Sequence, residues 1–232
     1  MFLTGTLLNA ATVLVGGLCG TLVGERLPER LRENVLRGLG LFTLVLGVKM
    51  AIETQSALVL LFATLLGGMV GASLSLDARL NALGDELQRR FGRRGSRVSE
   101  AFVTSSLVFC VGPLTFLGAI QNGLSGDITL LSLKSVLDGF AALAFAASLG
   151  WGVLLSVGTI LVYQGGLAAG ASLFQGLLND AMVREMSAVG GLLIVGVGLR
   201  LLRLRDVAVA DFLPAIVAAP LIVALVGAIR WP

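Results

Sequence analysis

The sequence has 232 residues, of which 56% are hydrophobic and 13% charged, with a mean hydropathy of +0.95. Soluble domains carry roughly 25% charged residues, so water is not the main solvent of this chain, and its formal charge of +3 speaks to loop topology and anionic headgroups rather than to nucleic acid. With no histidine and only two cysteines, Cys19 and Cys110, in apolar stretches that suit a buried thiol, the usual ligands of zinc, copper, haem and iron-sulfur centres are missing, and no metal or cofactor is expected.

A hydrocarbon core of about 30 Å takes roughly 20 helical residues per crossing. Apolar runs bounded by charge predict spans at Thr4–Gly24, Gly38–Ile52, Ala57–Leu76, Glu100–Gln121, Ser132–Leu149, Gly152–Phe174, Glu185–Leu202 and Ala208–Ile229. The expected fold class is all-α: a polytopic bundle of about eight transmembrane helices forming a single integral membrane domain.

The first span begins without the basic region of a signal peptide and is expected to stay in place. It carries one amide, Asn9, and glycines at Gly16, Gly20 and Gly24. That spacing, repeated at Gly67 and Gly71 and at Gly166 and Gly170, puts small residues on one helix face, where they allow close packing within the chain or homo-oligomerisation.

After the third span, residues 77–99 form the longest hydrophilic segment. Leu76, Leu80, Leu83 and Leu87 recur at helical spacing between charges, which predicts an amphipathic helix on the inner membrane surface; a solvated basic connector is the alternative.

The fourth span contains Phe109-Cys110-Val111-Gly112-Pro113-Leu114-Thr115. Pro113 removes a backbone donor and clashes with the preceding turn, so a helix break is expected at Gly112 and Pro113. Carbonyls freed by a break are tolerated where a neighbour or a water-filled cavity satisfies them. With Thr104, Ser105 and Ser106 on one side of the break and Thr115, Gln121 and Asn122 on the other, this span offers a polar lining for a solute path, or a kink that only shapes packing.

The fifth span opens Lys134-Ser135-Val136-Leu137-Asp138-Gly139. An ammonium and a carboxylate one turn apart face the same way, and charge inside a span usually faces the bundle interior or a water-filled cavity. Asp138 is therefore the first choice for a cation or proton site, with Lys134 its partner, unless the pair only anchors a helix end. The run that follows is too long for one crossing, and Leu149-Gly150-Trp151-Gly152 is its only plausible break. In the sixth span Tyr163 and Gln164 supply a phenol and an amide, as solute ligands or as interhelical glue. Asp211, ahead of Pro214 and Pro220 in the last span, reads as a cap residue near the interface.

Arginine placement tests the span count. The segments holding Arg26, Arg30, Arg32 and Arg37, then Arg79, Arg89, Arg90, Arg93, Arg94 and Arg97, then Arg200, Arg203 and Arg205 fall on one side only with eight crossings, which puts 13 of the 17 basic residues inside and both termini outside.

An internal repeat is also expected, the alternative being a chance match between stretches drawn mostly from Gly, Leu, Ala and Val, since Tyr163-Gln164 has to be treated as an insertion. Leu7 to Leu18 lies over Leu154 to Val162 continued by Gly165-Gly166-Leu167, with 8 of 12 positions identical, and Leu46-Gly47-Val48-Lys49 over Val197-Gly198-Leu199-Arg200. An offset of five crossings would invert one copy relative to the other, as in secondary transporters. The expected division is thus 1–76 for the first copy, 77–99 for the amphipathic segment, 100–149 for the central spans and 152–232 for the second copy.

Together, Gly5-Thr6-Leu7-Leu8-Asn9, Gly16-Gly17 with Gly20, the central Phe109 to Pro113 block, Gly118-Ala119-Ile120-Gln121-Asn122-Gly123-Leu124 with Gly126-Asp127, Lys134 to Gly139, and Gly190-Gly191-Leu192 with Gly198 resemble the bacterial YdfK/YqgA-type membrane proteins, a family of unknown function. The resemblance covers nearly the whole chain and implies a bacterial cytoplasmic (inner) membrane protein, with no substrate attached. The residues themselves lead to a transporter or channel for a small solute or ion. Its polar path would draw on Asn9, Thr104, Ser105, Thr115, Asn122, Lys134, Asp138, Tyr163 and Gln164, with the lipid bilayer as the other partner. A non-transporting scaffold or assembly subunit is the alternative. No activated nucleophile is visible that would make it an enzyme.

Overall fold

A computed structural model describes residues 3–92, 97–110, 113–174 and 178–229. Among these residues every regular element is helical and there is no strand. Helix α1 (Thr4–Arg26) ends where Leu27, ahead of Pro28, turns extended, as a residue before proline prefers. Helix α2 (Glu29–Ala51) starts nine residues before the predicted Gly38. Hydropathy misses this stretch because it is charged, yet Arg32–Glu29 at 3.7 Å and Arg37–Glu33 at 3.6 Å pair along it, a spacing that supports a helix. Arg30, Arg32 and Arg37 therefore sit on a helix rather than in a loop.

Helix α3 (Ala57–Ser73) is capped by the Ser56 hydroxyl, which accepts the Val59 N–H. A turn through Ser75 at φ +53° leads into α4 (Leu76–Phe91), inclined at 53° to α3. This is the amphipathic helix that the leucine spacing predicts. The predicted fourth span is two helices, α5 (Val98–Cys110) and α6 (Pro113–Ser125), inclined at 61°. Proline starts the second, as its missing donor and fixed φ favour. Gly112 lies outside the described residues.

Helix α7 (Thr129–Leu149) stops at Gly150, whose φ of +92° an L side chain rarely adopts. A 3-10 turn at Trp151–Leu155 then leads into α8 (Ser156–Ala169), so the Gly-Trp-Gly segment does divide the long apolar run. Helix α9 (Asp180–Leu201) is capped by Asn179, and α10 (Pro214–Ile229) follows a 3-10 turn at Val209–Phe212. Among the described residues six helical stretches are long and apolar enough to cross a membrane, or eight when each of the two bent pairs is taken as one span. Large apolar side chains such as Val15, Phe42, Met69, Phe140, Val162 and Leu221 lie exposed on their outer surfaces, as lipid contact requires.

The chain forms two compact units. One holds α1, α5, α6, α7 and α8, residues 29–39 of α2 and residues 80–91 of α4. Its axis is the α1–α7 pair. Gly16, Gly20 and Gly24 lie against the backbone carbonyls of Gly139, Leu143 and Ala147, four residues apart on each helix, with no room for a Cβ at any of the three. Close backbone approach of this kind is the main use of small residues in membrane helices. Helix α5 packs on α8 and on the 3-10 turn before it, where Gly152 meets the Val98 backbone.

The other unit holds residues 40–51 of α2 with α3, α9 and α10. Within it Gly47 and Gly191 approach each other backbone to backbone, and Gly67 and Gly71 of α3 lie against Ala215 and the Asp211 carbonyl.

Candidate functional site

Helix α1 turns Gly5, Thr6, Asn9, Val13 and Gly16 inward, a stripe at spacings of three and four that brings one amide and one hydroxyl to the same face. Helix α7 buries Leu131, Lys134, Ser135 and Asp138, and α8 buries Ile160, Gln164 and Ala168. The polar members of these stripes meet. Lys134 Nζ donates to Asp138 Oδ2, and Asn9 Nδ2 donates both to the same carboxylate oxygen and to Gln164 Oε1, each at 3.0 Å. Gln164 Nε2 in turn donates to Thr6 Oγ1 at 3.3 Å.

The result is a continuous chain of five polar side chains across three helices. All are buried, with Asn9 at 0% exposure, Gln164 and Thr6 at 1%, Lys134 at 5% and Asp138 at 7%. Burying two opposite charges costs several kcal/mol per ion unless their geometry and further hydrogen bonds offset it. The Asn9 amide supplies one of those bonds. Its own Oδ1 has no hydrogen-bond partner among the described residues.

Asn122, on α6, accepts the Gly5 N–H at 3.1 Å and so satisfies one of the donors left open in the first turn of α1. Its Nδ2 is buried and has no hydrogen-bond partner among the described residues. Cys110, buried at the end of α5, lies within electrostatic range of both Lys134 and Asp138. No disulfide joins it to Cys19, and both thiols are free.

The other residues singled out in the sequence lie elsewhere. Thr115 Oγ1 donates to the Phe109 carbonyl at 3.1 Å, across the break between α5 and α6, and so answers a backbone group that the break leaves open. The Ser105 hydroxyl turns back onto the Ala101 and Phe102 carbonyls of its own helix. Thr104 and Tyr163 are half-buried on α5 and α8.

Three polar arrangements were not read from the sequence as sites. At the carboxyl end of α7, a cavity of about 350 Å³ is lined in part by Glu25, Glu29, Arg32, Arg97 and Ser148, and Arg32 Nε donates to the Ala147 carbonyl at 3.2 Å. In the second unit Glu185 of α9 receives three donors from the segment that starts α3: Thr54 Oγ1 at 2.6 Å and the Gln55 and Ser56 N–H groups at 2.8 and 3.1 Å. Also in that unit Asp211 accepts the Asp77 N–H at 2.8 Å while Asp77 accepts the Ala210 N–H at 3.2 Å, with Arg200 Nη1 3.6 Å from the Asp77 carboxylate. Asp211 thus does serve the start of a helix, α4. The partners in these arrangements are separated by up to 134 residues, and only the acidic residue types in apolar surroundings hinted at them.

A family model described as a protein of unknown function, DUF554, matches residues 4–224. The uncharacterised protein YqgA of Escherichia coli (strain K12) is 35% identical over 222 residues, covering 93% of this chain and 94% of that protein. The uncharacterised membrane protein YdfK of Bacillus subtilis (strain 168) is 23% identical over 228 residues, covering 97% of each. No solved structure matches.

Proposed function

The chain belongs to the DUF554 family, and from that premise we propose that this helical membrane protein moves a small solute or ion across the bilayer through the polar cluster on α1, α7 and α8. The observation that carries the reading is the buried Lys134–Asp138 pair joined to Asn9 and Gln164. Ionisable groups inside spanning helices are expensive and serve mainly at solute or proton paths. A cluster held only for packing has no need of them, since replacing a buried ion pair by apolar side chains is often neutral or stabilising.

The helices involved support the same reading. The proposed repeat lays residues 7–18 of α1 over 154–167, a stretch that enters α8, and these two helices supply the two amides of the cluster, Gln164 falling in the gap of that match. If the copies are inverted, the cluster lies where secondary transporters bind their solutes, between repeats near the bilayer midplane. A scaffold using glycine faces for partner helices finds less support. Gly16, Gly20, Gly24, Gly67 and Gly71 are engaged by the chain's own helices, and Gly158 and Gly166 of α8 are the open positions on that helix.

The reading includes a bacterial cytoplasmic membrane with both termini outside, by the arginine distribution. Impermeant thiol labelling of single cysteines placed at each terminus of an otherwise cysteine-free protein tests that orientation. For transport itself, proteoliposomes holding the protein are expected to show a solute flux that Asp138→Asn abolishes. Full retention of that flux in the variant would remove the cluster from the mechanism.

A further inference from the structure

The cavity at the carboxyl end of α7 shares no residue with the polar cluster and needs no transport path to hold a ligand. Helices α1 and α7 finish together here, with Gly24 seated against Ala147. Glu25 of α1, Ser148 of α7, Glu29 and Arg32 of α2, and Arg97 just ahead of α5 all line the space, and all belong to one compact unit. Its volume of about 350 Å³ falls within the roughly 300–1,000 Å³ of sites that hold small ligands.

The charges around the cavity are loosely matched. Arg32 Nε is taken by the Ala147 carbonyl at 3.2 Å, which fixes the guanidinium, while its Nη1 stays 3.7 Å from Glu29, too far for a hydrogen bond. Arg97 Nη2 is 3.5 Å from the same carboxylate and its Nε 4.0 Å from Glu100. The Glu29 side chain is 64% exposed, and neither arginine has the bidentate carboxylate contact that its fork favours. Glu25 lines the space with no cation partner among the described residues. Ser148 is 3% exposed, and its hydroxyl has no hydrogen-bond partner among those residues, an arrangement that calls for a reason.

Two guanidiniums and a hydroxyl around one space suit an oxyanion held by charge-assisted bonds. The lining also holds Glu25 and Glu29, whose charges cancel those of Arg32 and Arg97, so an anion alone would face two carboxylates. A ligand that carries its own ammonium removes that conflict. We infer that the cavity binds a phosphate diester bearing a primary amine, with the phosphate held by Arg32, Arg97 and Ser148 and the ammonium by Glu25.

The place of the cavity favours an aminophospholipid headgroup as the source of that group. Helix α1 exposes Leu22 and Val23 immediately before Gly24, as a lipid-facing span end does. Trp151, which also lines the space, packs edge-on against Phe91 of α4, and tryptophan at a span end marks headgroup depth.

The test follows the thermal unfolding midpoint of the full chain in neutral detergent near neutral pH. Three probes are added in turn: short-chain phosphatidylethanolamine, phosphatidylglycerol of the same acyl length, and soluble glycerophosphoethanolamine. A saturable rise is expected with phosphatidylethanolamine, since a ligand held only by the folded state raises stability. Phosphatidylglycerol has the phosphate and lacks the amine, so it should bind at least about tenfold more weakly, the loss of one charge-assisted bond. Glu25→Gln should erase most of that preference, a change of selectivity that a mere loss of stability would not produce. Arg97→Gln should weaken both lipids by about tenfold or more, and Ser148→Ala should weaken both by a smaller factor.

No saturable rise with phosphatidylethanolamine overturns the site. An equal rise with phosphatidylglycerol overturns the amine-bearing ligand, and both results come from the wild type without any variant. An undiminished preference in Glu25→Gln overturns the place given to the ammonium. A rise that glycerophosphoethanolamine fails to reproduce upholds the lipid headgroup, whereas an equal rise with that soluble compound upholds the ligand chemistry and overturns the lipid source.

Discussion

Glu185 Oε1 receives the backbone N–H of Gln55 at 2.8 Å from a position 130 residues away in the chain. The same carboxylate takes the Ser56 N–H and the Thr54 hydroxyl, so one buried acid of α9 organises the start of α3. Removing it leaves partly buried donors without their acceptor, at up to about 1–3 kcal/mol for such a group. Glu185→Ala is expected to lower unfolding stability in detergent by about 2–4 kcal/mol, and Glu185→Gln, which keeps a carbonyl oxygen in place, by less than half as much. Equal losses in the two variants would mean that the side chain acts through packing.

Lys134 and Asp138 should be strongly non-additive. Breaking a buried pair by removing one partner costs about 3–5 kcal/mol, while replacing both by apolar residues is often neutral or stabilising. Lys134→Met and Asp138→Leu are expected to destabilise by about that much singly, and the double variant by less than either. A double-mutant cycle from chemical unfolding gives the coupling. Additive losses would show that the pair is solvated in the folded protein.

Gly16 and Gly166 predict opposite outcomes for the same substitution. At Gly16 an added Cβ meets the Gly139 carbonyl, while at Gly166 it meets nothing within 4 Å. Gly16→Ala should cost about 1–3 kcal/mol through overpacking. Gly166→Ala should be neutral or stabilising by up to about 1 kcal/mol, because alanine is the better helix former. Thermal unfolding of the two proteins side by side decides it, and a large loss at Gly166 would reveal a close partner for that face of α8.

Asp127, in the connection between α6 and α7, accepts the Thr129 hydroxyl at 2.7 Å and the Thr129 N–H at 2.8 Å. These bonds, the hydroxyl first, hold its carboxyl below the ordinary carboxylate range. A lowered folded value stabilises the ionised, folded form. Its contribution is complete above the ordinary range and is lost as pH falls through the lowered value. In a carbon-13 titration Asp127 should therefore protonate at lower pH than an unperturbed aspartate, and Thr129→Val should move it part of the way back. No movement in that variant would assign the shift to another cause.

The spans were legible because each is an apolar run long enough to cross a bilayer, and the breaks because Pro113 and Gly150 each make a continuous helix costly. The first turns of α2 were not, since Arg30, Arg32, Glu33 and Arg37 look like a loop to a hydropathy scale although they pair along a helix. Asn9, Lys134, Asp138 and Gln164 stood out as polar residues in apolar stretches, and the structure brings them together. Thr6 was not singled out, because a threonine can satisfy its own hydroxyl within a helix and carries no comparable signal. That Asn122 would serve the first turn of α1 depends on a contact across 117 residues, which no local pattern encodes.

The backbone contact of Gly16, Gly20 and Gly24 with Gly139, Leu143 and Ala147 also restricts how the cluster can move. Three successive carbonyls seated against three bare α-carbons act like teeth in a rack, so a slip of α1 along α7 by one residue would drive side chains into backbone. The Asn9–Asp138 distance is thereby clamped, with both residues riding on one stiff strut. Gln164 rides on α8, which has no such rack against either helix, and any opening of the cluster must begin on its side.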